Sequence, residues 1–546
     1  MRLTPLVALL GALGLGLVSA TPAAAQVIMP PVPVPPENPI TPAKALLGKA
    51  LFWDEQLSST GAVACGTCHF PGYGGSDKRS QDFPGISTHP GSDQTFSTED
   101  DVRGSPGVVR TDGSGKLLES RFFRVDAQVT PRKAPSFINA GFAPELFWDG
   151  SASGTFRDPL TNEVLIPEGG ALENQALGPP VSSVEMGHLG VQWPEIVERI
   201  APLQPLALAS ELPTPLATFV ENSTYTGLFE RAFGTPEVTP ARVAMALATY
   251  QRTLVSDRAR IDSFPLGFTP QERLGGDVFD AHCVACHKAP LFTLHTYRNI
   301  GVRPPQEDVG RAAVTGLSVD AGKFRVPSLR NVQLRAPYMH NGSIPTLEGV
   351  IAFYDRGGNF EDNQDPLIEP LGLTQVEKDA LLAYLLTFTD NRVHLEITPF
   401  DRPRLFSEST HVADFYGEGT PGSEGLVPKP VIVQPPSRAN AQFTVGLDDG
   451  RAGSQAMLLV GLEPYAAGLP LLGATAYLDL SQPFSVFPSG ELKGSADGVG
   501  YDSIVFDLSS LGPNAKGVSF YGQWFVDDPG ATGELSASRA FQVTIL

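Results

Sequence analysis

Cys65-Gly66-Thr67-Cys68-His69 and Cys283-Val284-Ala285-Cys286-His287 together use all four cysteines of the chain. Each reads C-x-x-C-H. At this spacing two thiols reach the two vinyl groups of one haem, and the next imidazole lies beneath the ring as the iron's proximal ligand. A zinc ribbon would place its Cys pairs about 15–20 residues apart, whereas these begin at positions 65 and 283. A thioredoxin-like pair does not call for a following His, least of all twice. The sequence therefore predicts two covalent c-type haems, on Cys65, Cys68 and on Cys283, Cys286, with His69 and His287 on the irons. No cysteine is left for a disulfide.

The sequence before each motif repeats. Thr41-Pro42 leads into Leu47-Gly48-Lys49-Ala50-Leu51-Phe52, and Thr269-Pro270 leads into Leu274-Gly275 and Val278-Phe279. In both, Thr suits a helix N-cap and Pro the first helical position. Glu272 completes a capping box. The reading is two mainly α-helical cytochrome c-like domains, over 41–265 and 266–400. Further helices are predicted at Pro240–Leu254 and Thr374–Thr387, the second with its own box, Thr374 and Glu377.

The flanks differ in character. Met1-Arg2, the apolar run Leu6 to Ala20 and Ala23-Ala24-Ala25 before Gln26 form an export signal over 1–25. Cleavage after Ala25 would release the protein to a periplasm or the medium. No later apolar stretch is long enough to span a bilayer. Residues 26–40 are a Pro-rich leader. Residues 72–131, rich in Gly, Ser and Asp, read as a long loop. Residues 401–439 read as a linker. Over 440–546, alternating segments such as Ser503-Ile504-Val505-Phe506 predict an all-β sandwich, which has no Cys or His. Of 546 residues, 42% are apolar and 18% charged, which excludes global disorder. A net charge of −20 argues against a nucleic-acid partner and against adhesion to anionic lipid.

Several blocks beyond the haem motifs extend the pattern. They are Leu47 to Phe52, Ala134-Pro135-Ser136, Phe147-Trp148-Asp149-Gly150, Gln175 to Met186, Gln251-Arg252-Thr253-Leu254, Phe324 to Asn331 and Pro337 to Ser343. With them, residues 38–392 resemble the bacterial dihaem cytochrome c peroxidase and MauG family. The resemblance implies that the N-terminal haem reacts with hydrogen peroxide and that the C-terminal haem stores or relays electrons. It assigns Gln175, Pro179 and Glu185 to the distal pocket. Breaking the O–O bond needs a proton moved from the inner to the outer oxygen, which a carboxylate held nearby can do. A neighbouring amide can hold the peroxide. Trp148 matches a tryptophan between the haems, where it both packs and conducts.

The resemblance also places Tyr354 where electron-accepting peroxidases carry Met. That implies a tyrosinate on the second iron, as in the MauG-like branch, with Met339 as the competing ligand. An anionic oxygen stabilises ferric and higher states better than a thioether does. For the first iron two arrangements stand: His89 as a blocking ligand, or an open position. Lys133 occupies the position of an Asn that holds calcium in the family. A charged lysine cannot ligate calcium, so no calcium or a weak site is expected, with the Lys133 ammonium in the cation's place. Four functions compete: a MauG-like oxidase of a protein or other bulky donor, a reductively activated peroxide scavenger fed by a small redox protein, a rubber-oxygenase-like enzyme, and a non-enzymatic dihaem electron carrier. Gln175, Glu185 and Tyr354 speak against the carrier. The acidic charge suits a basic donor.

Overall fold

A computed structural model describes residues 28–263, 267–409, 412–494 and 499–546. The expected export signal lies outside the described residues. Six helices set the frame: α1 (Pro42–Trp53), α2 (Ala171–Ala176), α3 (Pro240–Arg252), α4 (Pro270–His282), α5 (Leu347–Asp355) and α6 (Gln375–Leu386). Their starts follow the capping chemistry of the sequence. The side chains of Thr41, Thr239, Thr269 and Thr374 each accept from a backbone N–H of the first turn, and Glu272 and Glu377 close capping boxes.

The sequence repeat is a repeat in space. Gly48 brings α1 so close to α3 that an added Cβ would overlap the carbonyl of Ala246 and press on Tyr250. Gly275 brings α4 onto α6 in the same way, against the carbonyl of Ala380 and against Tyr384. Glycine inside a helix is unfavourable by about 1 kcal/mol, and here close packing offsets it. Around the first crossing, Leu47, Leu51, Phe52 and Trp53 pack with Val243, Leu247 and Tyr250. Around the second, Phe279 and Phe292 pack with Leu381, Tyr384 and Phe388. The halves differ at the haem motif. Cys65–Cys68 forms its own helical turn, whereas Cys283 is the C-cap of α4.

The segment expected as a long loop is folded. Two antiparallel pairs run through it: β1 (Thr88–His89) with β2 (Val102–Arg103), and β3 (Pro106–Val109) with β4 (Ala127–Val129). Val108 joins the core of the first helical half, and Val109 joins a cluster with Val431 and Tyr501.

The C-terminal region is sheet-rich. Its strands are β5 (Asp414–Tyr416), β6 (Lys429–Val431), β7 (Phe443–Gly450), β8 (Gln455–Gly461), β9 (Pro464–Leu471), β10 (Ala474–Leu478), β11 (Phe484–Glu491), β12 (Gly500–Phe506), β13 (Ser519–Asp527), β14 (Leu535–Ala537) and β15 (Ala540–Thr544). One sheet runs β6-β7-β12. A second runs β11-β8-β13-β15-β5, with β14 on β13, and β9 pairs with β10 as a separate two-stranded sheet. Phe443, Val445 and Leu447 of the first share a core with Leu458, Trp524, Val526 and Phe541 of the second. The stretch 401–439, expected as a linker, thus supplies β5 and β6. Its start packs on the first half: Arg402 lies over the rings of Trp53 and Phe70, and Glu55 accepts the N–H groups of Phe406 and Ser407. Burial pushes the Glu55 carboxyl up to about 7. Among the described residues no helix is long and apolar enough to cross a membrane.

Candidate active site

Two cavities open beside the two C-x-x-C-H motifs. The larger, about 650 Å³, is lined by Cys65, Cys68 and His69 together with Gln175, Pro179, Glu185, His89 and Trp148. The second, about 260 Å³, is lined by Cys283, Cys286 and His287 together with Tyr354, Met339 and Trp148. Every site residue read from the sequence therefore stands on one of two walls, and Trp148 stands on both.

The walls fit haem. His69 Nδ1 faces the carbonyl of Gly75 at 3.3 Å, and His287 Nδ1 faces that of Phe292 at 2.9 Å. A carbonyl on Nδ1 fixes the proton there and leaves Nε2 as the metal-binding lone pair. Burial lowers the pKa of both rings, His287 to about 4, so the neutral imidazole that metals require is favoured. The four cysteines are free thiols, and burial raises Cys65 and Cys283 to about 12. Buried polar atoms without partners line the same walls. They are Ser105 Oγ and His89 Nδ1 at the first cavity, and His295 Nε2, Arg298 Nε and Arg335 Nε at the second. Native interiors rarely leave such atoms unmet, and the carboxylates of haem are acceptors suited to the two guanidinium donors.

The partition between the cavities carries unusual charge. Lys133 lines both, its ammonium donates to Ser76 Oγ, and burial beside Arg335 pushes it down to about 7. Arg335 is itself pushed down to about 10 by burial. Trp148 is pinned on this partition. Its Nε1 donates to the Lys133 carbonyl, its own carbonyl accepts from Arg325, and its ring meets His340 edge-on at 6.4 Å. His340 in turn stacks on Phe324 at 3.7 Å.

On the first wall, α2 and the turn after it carry Gln175, Pro179 and Glu185. Gln175 is in the last turn of α2 and Glu185 in the loop 182–187, whose N–H groups converge on Ser182. Burial raises the Glu185 carboxyl above the ordinary range, opposed by the Ser182 hydroxyl. His89 is held by the β1–β2 pair with its ring 5.9 Å from Phe123. On the second wall, Tyr354 lies on α5. Burial pushes its phenol far up, and it lines the second cavity.

One repeat in the site goes beyond those read from the sequence. Pro135-Ser136 with Asn139 and Pro327-Ser328 with Asn331 have identical spacing. Ser136 donates to Gly74 O and Ser328 to Leu291 O, each beside the histidine loop, and both asparagines have positive φ. An ion triad in which Arg132 holds Asp149 and Asp308, at 2.7 and 2.6 Å, lines the first cavity.

A family model described as di-haem cytochrome c peroxidase matches residues 42–269. The methylamine utilization protein MauG of Methylorubrum extorquens is 30% identical over 65% of this chain and 81% of its own length. The chain belongs to the di-haem cytochrome c peroxidase and MauG family. The cytochrome-c peroxidase IdrP1 of Denitromonas iodatirespirans is 28% identical over 69% of this chain and 88% of its own. The cytochrome c551 peroxidase of Nitrosomonas europaea is 28% identical over 68% and 88%. As a family member the chain is a dihaem c-type oxidoreductase with hydrogen peroxide as oxidant, an enzyme rather than a simple electron carrier. The sheet-rich region lies outside the residues that the family model matches.

Proposed function

We propose that the chain is an exported peroxidase of the MauG-like branch, in which peroxide reacts in the first cavity and the second site shares or relays the oxidising equivalents. When bound, the two haems supply the redox chemistry that takes up both equivalents of peroxide. The chain's residues do the rest. The Glu185 carboxylate moves a proton from the inner to the outer peroxide oxygen, and its raised pKa brings it toward the operating pH. The Gln175 amide orients the peroxide, and Pro179 shapes the wall behind it. Trp148 spans the partition, where its π-system carries electrons or holes. His69, His287 and Tyr354 would hold the haem irons through their side chains.

The observation that favours this over a reductively activated scavenger is Tyr354, whose buried phenol lines the second cavity. The test is one equivalent of hydrogen peroxide on the diferric protein, followed by electron paramagnetic resonance. Joint fading of the high-spin and low-spin ferric signals without prior reduction is expected. Signals that persist until one haem is reduced overturn the reading.

His89 favours that second reading on an observation of its own: a buried, partnerless Nδ1 on the first wall. If it blocks the iron, His89→Ala removes the need for reduction. In the same scheme 41–265 and 266–400 are the haem domains, strands β5 to β15 over 414–546 make an appended β domain, and export follows cleavage after Ala25. The Lys133 ammonium takes the place of calcium. Chelator treatment is then expected to leave both haem spectra unchanged, and a loss of activity restored by calcium would overturn the replacement.

A further inference from the structure

The hairpin β3–β4 touches the Glu185 loop at one end and the C-terminal sheets at the other. At the first end, Gly107 lies flat on the peptide that joins Val184 to Glu185. A Cβ there would overlap the Val184 carbonyl and crowd Glu185 Cα. The next residue, Val108, donates its N–H to that carbonyl at 3.2 Å, and Leu189 N–H donates to Thr111 O at 2.8 Å. The loop that carries the carboxylate is thus bracketed on both sides by one strand and its continuation.

At the other end, the turn 112–117 is seated on β7 and β12. Thr444 Oγ1 donates to Gly115 O at 2.7 Å, Gln442 Nε2 to Gly113 O at 2.9 Å, and Leu117 N–H to Ser503 Oγ at 3.0 Å. The Lys116 ammonium donates to Ser503 O. Arg124 forks onto Asp448 and Asp449 at 2.6 and 2.8 Å. Leu117 and Val125 are buried in a cluster with Val431 and Tyr501. Strand β3 is therefore a short, two-faced element with one side chain in each core.

We infer that the C-terminal β domain is a positioning element of the peroxide site: by clamping the 112–125 turn it sets, through Gly107 and Val108, where the Glu185 loop stands. A short strand with few partners of its own is held by what grips its ends, and a misplacement of about 1 Å at a proton-transfer group can lower a rate by about a hundredfold. Neither Thr444 nor Ser503 touches the cavity. They act on peroxide chemistry only through the hairpin. The inference rests on the assignment of Glu185 made above.

The test is a double-mutant cycle on the full-length holoprotein. Thr444→Val with Ser503→Ala loosens the clamp without adding bulk, and Gly107→Ala pushes from the other end. The second-order rate with peroxide is expected to fall at least about tenfold in each. The diferric spectra of both haems and the melting temperature stay close to wild type for the Thr444→Val/Ser503→Ala pair. In a Glu185→Gln background the same pair changes the rate no further, and hydrogen exchange across 182–189 speeds up in the pair. An equal fold loss in both backgrounds, or no loss where Glu185 is intact, overturns the coupling and leaves the role of Glu185 standing. A Glu185→Gln protein that reacts at the wild-type rate overturns both.

Discussion

The indole Nε1 of Trp148 donates to the main-chain carbonyl of Lys133 at 2.8 Å, so the aromatic that faces both haem cavities is tethered to the residue whose ammonium is buried in the same partition. The hydrogen bond fixes the ring by its polar edge. Trp148→Phe keeps a ring and loses both the tether and much of the π surface. After peroxide is added to the diferric protein, the low-spin ferric signal is expected to fade at least about tenfold more slowly than the high-spin signal. Signals that still fade together would remove Trp148 from the relay.

Tyr354 and Met339 both line the second cavity, and the two candidates differ in charge. A phenolate ligand lowers the potential of its haem, and axial ligands span about 0.8 V across haem proteins. Tyr354→Met is expected to raise the potential of one haem by on the order of 0.1 V or more in a spectroelectrochemical titration, while Met339→Leu leaves it unchanged. The reverse pattern would give the ligand role to Met339.

The Glu185 carboxyl sits above the ordinary carboxylate range because burial disfavours its charge. A group that must be ionised to accept a proton then loses function as pH falls through that raised value. The peroxide rate of the wild type is expected to show an acid limb, and Glu185→Gln to be slower by about a hundredfold or more with the limb gone. A limb that survives in Glu185→Gln belongs to another group.

Glu55 offers a stability test away from the chemistry. Its folded pKa is pushed up to about 7 by burial, above the value of about 4.3 for an unfolded chain. The folded state therefore binds the proton more tightly. The associated stability is fully present below about pH 4.3 and is lost as pH rises to about 7. Phe406 N–H and Ser407 N–H donate to different oxygens of Glu55, so Glu55→Gln removes the charge and keeps one of the two acceptors. Calorimetric stability should then fall less between pH 5 and pH 8 than in wild type, by about 2 kcal/mol. An unchanged pH profile would mean that Glu55 titrates normally in the fold.

Much of this structure is legible because its determinants are local. The C-x-x-C-H motifs, the Thr caps of α1, α3, α4 and α6 and the alternation of the C-terminal strands need only a few neighbouring residues to be read. Helix α3 ends at Arg252 rather than Leu254, the usual uncertainty of a helix end. The Pro-Ser-x-x-Asn repeat is also local, and aligning the two halves on their haem motifs reveals it. Other features have no local signal. His89 reaches the first cavity only because β1 pairs with β2, and that pairing is not periodic in sequence. The seat of Gly107 on Val184 joins residues far apart in the chain. Strands β5 and β6 have three residues each and lie in Pro- and Gly-rich sequence, so composition alone reads them as linker.

The twin crossings of Gly48 on Ala246 and Gly275 on Ala380 separate scaffold from chemistry. Each haem half is braced by a helix pair whose closest contact involves neither a thiol, nor an imidazole, nor the sixth position of an iron. A gene duplicated on such a frame is free to exchange residues of either cavity wall, on α5 for one half and in the 182–187 loop for the other, without renegotiating the fold. One copy can become a place where peroxide is opened and the other a reservoir for charge, and the two can go on diverging while they keep the same skeleton.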